Sequence, residues 1–454
     1  MIYQSQQKNI VVIGGSAAGP AAAAKAKRVD PKANVIMFEA GEFISTGTCE
    51  LPYVLSNVIC GYEKIIFYTP EKFEADKGVK VFIKHRVEKI NRNSKTISVR
   101  NLISSHLVDF PYCKLIITTG SKAKRLEQLS GNISNVFTFK TAADLIALQK
   151  YITLNNAKKV LIIGAGCIGL ELAEALSAVN LQVILIDKEL LPMPNSDIEI
   201  KRRILEALNE NGIEFYGGLS TPKFHYANDQ IKSIEIDGWR KEIDIVIQTI
   251  GFQANVDLSV AAQIDIGAKG GIKIDSKART NDSNIFAAGD CVEVINRVTN
   301  RPEYIPLATY ARDFGYAAGE NAAGGNCIVQ PVVKNISVKI FGNVFASVGL
   351  SSSESAENKF RVESISAEAN NLVKVMPGSR KTYGCIVYET GSERILGASF
   401  FGGNEVIGYA DLVCFMIQNK MKVSELSKIN YNYTPPLSPF VNIMALLGKT
   451  FSRK

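Results

Sequence analysis

The sequence predicts an α/β fold: two Rossmann-like, dinucleotide-binding domains followed by a C-terminal α+β domain. Three observations predict it. A strand–glycine turn–helix–strand pattern opens the chain at Gly14 and returns 150 residues later at Gly164. After about residue 332 the pattern changes to alternating strands with a late helix. The length, 454 residues, suits about three domains and excludes a single small binding module.

In the first unit the strand is IVVI, residues 10–13, the turn is GGSAAG, the helix covers 20–28, and a second strand ends at Glu39. Pro20 fits the first helical turn, where its missing N–H costs nothing. A glycine turn in this place lets the backbone approach a pyrophosphate, whose charge then rests on the free N–H groups of the helix. The candidate cofactor contacts are therefore Gly14, Gly15, Ser16, Ala17, Ala18 and Gly19, with Glu39 and Ala40 at the ribose; Glu39 stands 20 residues past Gly19. The second unit has all three glycines, Gly164, Gly166 and Gly169, with Cys167 and Ile168 between them. Asp187, 18 residues past Gly169, favours the free 2′-hydroxyl of NADH over the 2′-phosphate of NADPH, and the neighbouring Lys188 is the counter-signal. Two nucleotide sites imply electron transfer from one cofactor to another.

Apolar strands at 115–121 and 245–252 stop at Thr119–Gly120 and at Gly251, which reads as crossing points between lobes. Another strand, 284–290, ends at Gly289–Asp290, and a helix is expected within 305–325, starting near Leu307, Ala308 and Thr309. Cys49 sits in a turn before Leu51–Pro52–Tyr53, the expected start of a helix, where free N–H groups favour a thiolate. That is the setting of a redox cysteine. Cys60, Cys113, Cys327, Cys385 and Cys414 read as small buried hydrophobes.

Composition closes off other classes. Apolar residues are 46% and charged residues 21%, far from a disordered or collagen-like chain. With 52 lysines and arginines against 44 acidic residues, the net charge of +8 gives a mild preference for anionic ligands and no case for nucleic acid. Lys122/Lys124/Arg125 and Lys201/Arg202/Arg203 read as solvated faces. Eight cysteines without regular spacing or a C-x-x-C pair argue against a disulfide framework and a zinc knuckle, and three histidines against a metal site. A reducing, cytoplasmic compartment is expected. The uncharged run 9–24 is 16 residues long and broken by Gly14, Gly15, Gly19 and Pro20, too short for the roughly 20 residues of a membrane span.

The order IVVIGGSAAG, FEAGEFISTGTCELPY, YTPEKF, LIITTGS, VLIIGAGCIGLELAEAL, NIFAAGDC, PLATYARDFGYAAGENAAGG and NYTPPLSP resembles the coenzyme A-disulfide reductase branch of the flavin-dependent pyridine nucleotide–disulfide oxidoreductases, over essentially the whole chain. The resemblance implies an FAD domain at 1–124 and 251–330, an NAD(P) domain at 125–250 and a dimerisation domain at 331–454. It implies a homodimer in which Cys49 cycles between thiol and mixed disulfide with coenzyme A, and in which Tyr433 reaches the partner's active site. Asp290 would bind the ribityl chain of FAD, the helix at Leu307–Thr309 would face the flavin's pyrimidine edge, and Glu171 would place the nicotinamide of NADH or NADPH.

Absences agree with the single-cysteine branch. Position 54, where two-cysteine relatives carry their second thiol, is Val54, the last histidine is His225, and the first glycine loop has Ala17 where peroxide and oxygen reductases carry histidine. Three departures bear on the substrate. Glu50 follows Cys49 where the resemblance expects glycine or alanine, Val375–Met376 replaces a tyrosine pair before Pro377–Gly378, and Cys167 stands where relatives often place an aromatic ring. Glu50 either points at the sulfur or turns away to a cation such as Lys25 or Lys27. The expected activity is NAD(P)H-dependent reduction of a disulfide or persulfide; an NADH oxidase and a turnover-deficient, redox-responsive flavin-binding dimer are the alternatives.

Overall fold

The computed structural model describes residues 8–194, 196–219, 222–236 and 238–453; the first seven residues of the expected FAD domain lie outside them. The chain forms an α/β structure with a C-terminal α+β domain. In the first lobe, five parallel strands run in the order Ile285–Ala287, Lys114–Ile117, Asn9–Ile13, Asn34–Phe38 and Lys80–Phe82. The central strand NIVVI is buried along its whole length, as a parallel strand covered on both faces must be. Helix Ala18–Val29 packs against helix Ala308–Ala322, and a Cβ at Gly315 or Gly319 would collide with the carbonyl of Ala18 or Ala22. That close approach brings the starts of both helices to the carboxyl edge of the sheet. The first helix begins two residues before the expected position, at Ala18, so Pro20 stands in its first turn.

The second lobe repeats the plan with Val136–Thr138, Ile245–Gln248, Lys159–Ile163, Gln182–Ile186 and Glu214–Tyr216, all parallel. An antiparallel pair, Ser121–Ala123 against Phe252–Ala254, carries the chain between the lobes. The third domain is a five-stranded antiparallel sheet, Asn335–Ile340, Asn343–Gly349, Ile395–Gly402, Lys381–Glu389 and Val362–Asn370. Helices Glu405–Gln418 and Ile443–Ser452 share its core on one side, while Val338, Ile340, Phe345 and Phe401 join the core of the second lobe on the other. The edge strand Val362–Asn370, VESISAEAN, was not foreseen because its alternation, Ile365, Ala367 and Ala369 against Ser366 and Glu368, is carried mostly by alanine. Among the described residues, no helix is long and apolar enough to cross a membrane.

Candidate active site

Both glycine loops are built by one device. Gly14 and Gly164 take φ of +107° and +109°, and a Cβ at either would collide with the carbonyl oxygen of Thr118 or Thr249. The two threonines lock the turn. Thr118 Oγ1 donates to the carbonyl of Ile13 at 2.7 Å, and Thr249 Oγ1 donates to those of Ile163 at 3.0 Å and Gly164 at 2.8 Å. Each loop also offers a backbone N–H to the acidic residue at the end of the next strand: Gly15 N to Glu39 Oε2 and Ala165 N to Asp187 Oδ2, both at 2.6 Å. Gly19 and Gly169 pack so tightly on the carbonyls of Gly14 and Gly164 that no side chain fits there. Gly166 is different. A Cβ at this position would meet nothing within 4 Å, and Ser16, its counterpart in the first loop, is exposed. The loops therefore present open cradles at the starts of helices Ala18–Val29 and Cys167–Ala178.

Around the loops, Ala17 and Ala40 are half-buried and Ala18 is buried, whereas the Lys188 side chain is 79% exposed, 3.9 Å from Glu189. Cys167 and Ile168 begin their helix half-buried against the second-lobe core, and burial followed by Glu171 pushes the Cys167 thiol up to about 11. Thr119, Gly120 and Gly251 lie at the crossing. Thr119 Oγ1 donates to Asn255 O at 2.7 Å, Asn255 N donates to Gly120 O at 2.9 Å, and Lys124 N donates to Gly251 O at 2.9 Å.

Cys49 lies in the single helical turn Thr48–Glu50, which runs into helix Leu51–Leu55. Leu51, Pro52, Val54 and Leu55 are buried and anchor that helix, so the exposed Cys49 stands at its open end. The thiol does not gain from this position as the sequence led us to expect. Partial desolvation by the surrounding groups raises its pKa, Glu50, Glu171 and Asp290 raise it further, and Lys140 opposes them. A helix of five residues supplies too small a dipole to outweigh those carboxylates. Glu50 turns back so that its carboxylate covers Gly47 beside Phe67. Neither expected partner holds it: Lys25 pairs with Glu320 at 2.8 Å, and Lys27 donates to the carbonyls of Pro31 and Ala33.

Two groups that sequence reasoning missed complete the pocket. Lys140, in the turn before helix Ala142–Asn155, places its ammonium 3.4 Å from Asp290 Oδ2 and 4.2 Å from the centre of the Phe252 ring. Ser121 Oγ donates to the same carboxylate oxygen at 2.8 Å. Their only signal was position, just past strands that end at the junction of the lobes. Glu171, on the helix facing the Cys49 segment, is pushed up to about 7 by burial and then by Glu174. Glu174 is itself held by Lys339 at 2.9 Å and by the N–H of Phe341 at 2.8 Å.

This pair of glycine turns has a counterpart among known families. Residues 8–313 match the family described as pyridine nucleotide-disulphide oxidoreductase, and residues 337–444 match its dimerisation domain. The chain belongs to the pyridine nucleotide-disulphide oxidoreductase family. It is accordingly an FAD-dependent NAD(P)H:disulfide oxidoreductase. It is 29% identical over 444 residues to a coenzyme A disulfide reductase of Staphylococcus aureus, covering 97% of this chain and 98% of that one. Among solved structures it resembles the reduced Bacillus anthracis CoADR-RHD, with a TM-score of 0.93 and 25% identity over 99% of this chain and 81% of the other. A NAD-dependent persulfide reductase from A. fulgidus gives a TM-score of 0.93 and 28% identity over 98% and 83%.

The residues present fit the cofactors that this oxidoreductase family uses. The cradles at Gly14 and Gly164 are free of side chains, and helix Ala308–Ala322 opens with Leu307 extended and no side-chain cap, leaving Ala308 and Thr309 exposed. Gly289 and Asp290 follow strand Ile285–Ala287 at the same edge. Tyr433 lies elsewhere in the oxidoreductase, on the third domain. It is 44% exposed and stacks edge-to-face on Phe440 at 5.2 Å, and its hydroxyl has no hydrogen-bond partner among the described residues. Two cysteine expectations fail, since Cys60 and Cys113 are exposed; Cys385 is buried, and Cys327 and Cys414 are intermediate.

Proposed function

We propose that this oxidoreductase reduces a disulfide or persulfide of coenzyme A type through one redox cysteine, Cys49, in a homodimer. The carrying observation is that Cys49 is exposed at the junction of the lobes while position 54 is a buried valine, so the second thiol needed for an internal disulfide is missing. The resemblance to the S. aureus coenzyme A disulfide reductase and the A. fulgidus persulfide reductase supports the substrate class.

In this reading residues 1–124 and 251–330 hold FAD, 125–250 hold NAD(P)H and 331–454 form the dimer. Gly14 to Gly19, Glu39, Ala40, Thr119, Gly120, Gly251, Gly289, Asp290 and the Leu307–Thr309 helix start serve FAD. Gly164, Gly166, Cys167, Ile168, Gly169, Glu171, Asp187 and Lys188 serve the nicotinamide nucleotide, with Asp187 favouring NADH. Bound FAD supplies the two-electron relay from NAD(P)H to sulfur. The chain supplies the sulfur chemistry. Cys49 loses its proton, its thiolate attacks one sulfur of the substrate, the S–S bond breaks, and the departing thiolate takes up a proton. Two electrons and two protons then split the mixed disulfide, releasing the second substrate thiol and restoring the Cys49 thiol. Tyr433 of one protomer acts at Cys49 of the other as the proton donor.

Anaerobic reduction by NADH followed by mixing with coenzyme A disulfide, coenzyme A persulfide or oxygen tests the reading. Rapid flavin reoxidation by a sulfur substrate without oxygen is expected. Reoxidation by oxygen alone would make the protein an oxidase, and reoxidation by neither would make it a flavin-binding dimer without turnover.

A further inference from the structure

A cleft of about 330 Å³ lies between the start of helix Ile198–Glu210 in the second lobe and the sheet of the third domain. Its floor is a polar row across three strands. Ser347 pairs opposite Ser399, and Ser399 pairs opposite Cys385, so the three side chains share one face of the sheet. Ser399 is only 8% exposed and Ser347 is half-buried, and neither hydroxyl is tied up by a hydrogen bond among the described residues. Both hydroxyls line the cleft and are free to bond a group that enters it.

The opposite wall supplies charge. Lys201 lines the cleft and forms no ion pair among the described residues. Among the described residues lining the cleft the one carboxylate is Asp197, whose Oδ1 accepts from Glu199 N at 2.9 Å and from Tyr383 Oη at 3.2 Å. Cys385 adds no competing negative charge, because burial and then Asp197 push its thiol up to about 12. The larger cleft, about 560 Å³ at the amino ends of the second-lobe strands, lacks such free groups. There Lys159 pairs with Glu242, Lys241 with Glu214, Arg240 with Ser233 and Lys232 with Gln230.

We infer that the smaller cleft binds a small oxyanion, a carboxylate or phosphate group held by Lys201 and the hydroxyls of Ser347 and Ser399. The bound group satisfies both hydroxyls and ties the second lobe to the third domain. This site is independent of the proposed sulfur chemistry.

The test is the thermal midpoint of the flavin-loaded protein in inorganic phosphate, in malonate and in potassium chloride at equal ionic strength. Wild type is expected to gain about 2–4 °C from phosphate or malonate over chloride, and the anion that gives the gain identifies the group. Lys201→Met, at a partly exposed position, is expected to lose most of that gain, as is Ser399→Val, which fills the floor. Three results would overturn the inference: no gain over chloride, an equal gain in Lys201→Met, or a gain that vanishes under saturating NAD⁺, which would move the anion to the nucleotide loop.

Discussion

Lys140 Nζ stands 3.4 Å from Asp290 Oδ2, across the junction between the two lobes. The pair joins the end of a first-lobe strand to the start of a second-lobe helix, and both members act on Cys49 in opposite senses. The reactivity of the thiol is thus set jointly by the two halves of the pocket.

Because the Cys49 pKa is raised, thiolate is scarce near neutrality and its fraction grows as pH rises toward that pKa. Reoxidation of the reduced protein by a disulfide should therefore accelerate from pH 7 to pH 9. Lys140→Met removes the opposing positive charge, which should push the rise to higher pH and slow the reaction at pH 7 a few-fold; Lys140→Arg should preserve it. Stopped-flow pH profiles that coincide for wild type and Lys140→Met would remove Lys140 from the thiol's environment.

Glu50→Gln should act in the opposite sense. Its carboxylate is the leading charged contributor to the raised thiol pKa, so neutralising it should shift the same profile to lower pH. It also removes a repulsion on anionic substrates, and kcat/KM should improve more for coenzyme A disulfide than for a small neutral disulfide. Equal changes for both substrates would confine the role of Glu50 to the thiol.

Cys49→Ser should retain flavin reduction by NADH and lose disulfide turnover by on the order of 10³-fold or more. Single-turnover spectra of the flavin separate the two halves. Retained turnover would exclude Cys49 from the reaction.

The glycines of the second loop should divide by role. Gly166→Ala meets empty space, so its stability should stay within about 0.5 kcal/mol of wild type while KM for NAD(P)H rises. Gly169→Ala drives a methyl into the Gly164 carbonyl and should destabilise the lobe itself. Thermal melts and NADH titrations of the two variants check the contrast; a Gly166→Ala protein with unchanged KM would show that no nucleotide approaches that backbone.

Tyr433→Phe should slow the sulfur half-reaction by about 10-fold or more and spare flavin reduction, if a proton from its hydroxyl enters the rate-limiting step. Unchanged stopped-flow rates would leave Tyr433 as one ring of the Phe440 cluster.

The glycine turns were legible because a collision with a backbone carbonyl dictates glycine at Gly14 and Gly164, and the carboxylates that close them come from the very next strand. Cys49 was legible as a position but not as a chemical environment. The expectation weighed only neighbouring residues, whereas Glu171, Asp290 and Lys140 arrive from distant segments through the packing of two lobes. Lys140 carries no local mark: a lysine before a helix reads as solvated surface until Asp290 and Phe252 surround it. The exposure of Cys60 and Cys113 was hidden for the same reason, since burial depends on which loop covers a residue.

Strand Ile285–Ala287 closes the edge of a sheet whose other four strands all lie before residue 118. The second lobe, by contrast, draws its entire parallel sheet from residues 136–248. As the nascent chain leaves the ribosome, the second lobe can therefore complete its sheet while the first still waits with an unpaired edge at Lys114–Ile117. Translation order thus makes the inserted sheet the earlier one to close, and the amino-terminal half the segment most in need of protection from self-association until residue 287 emerges.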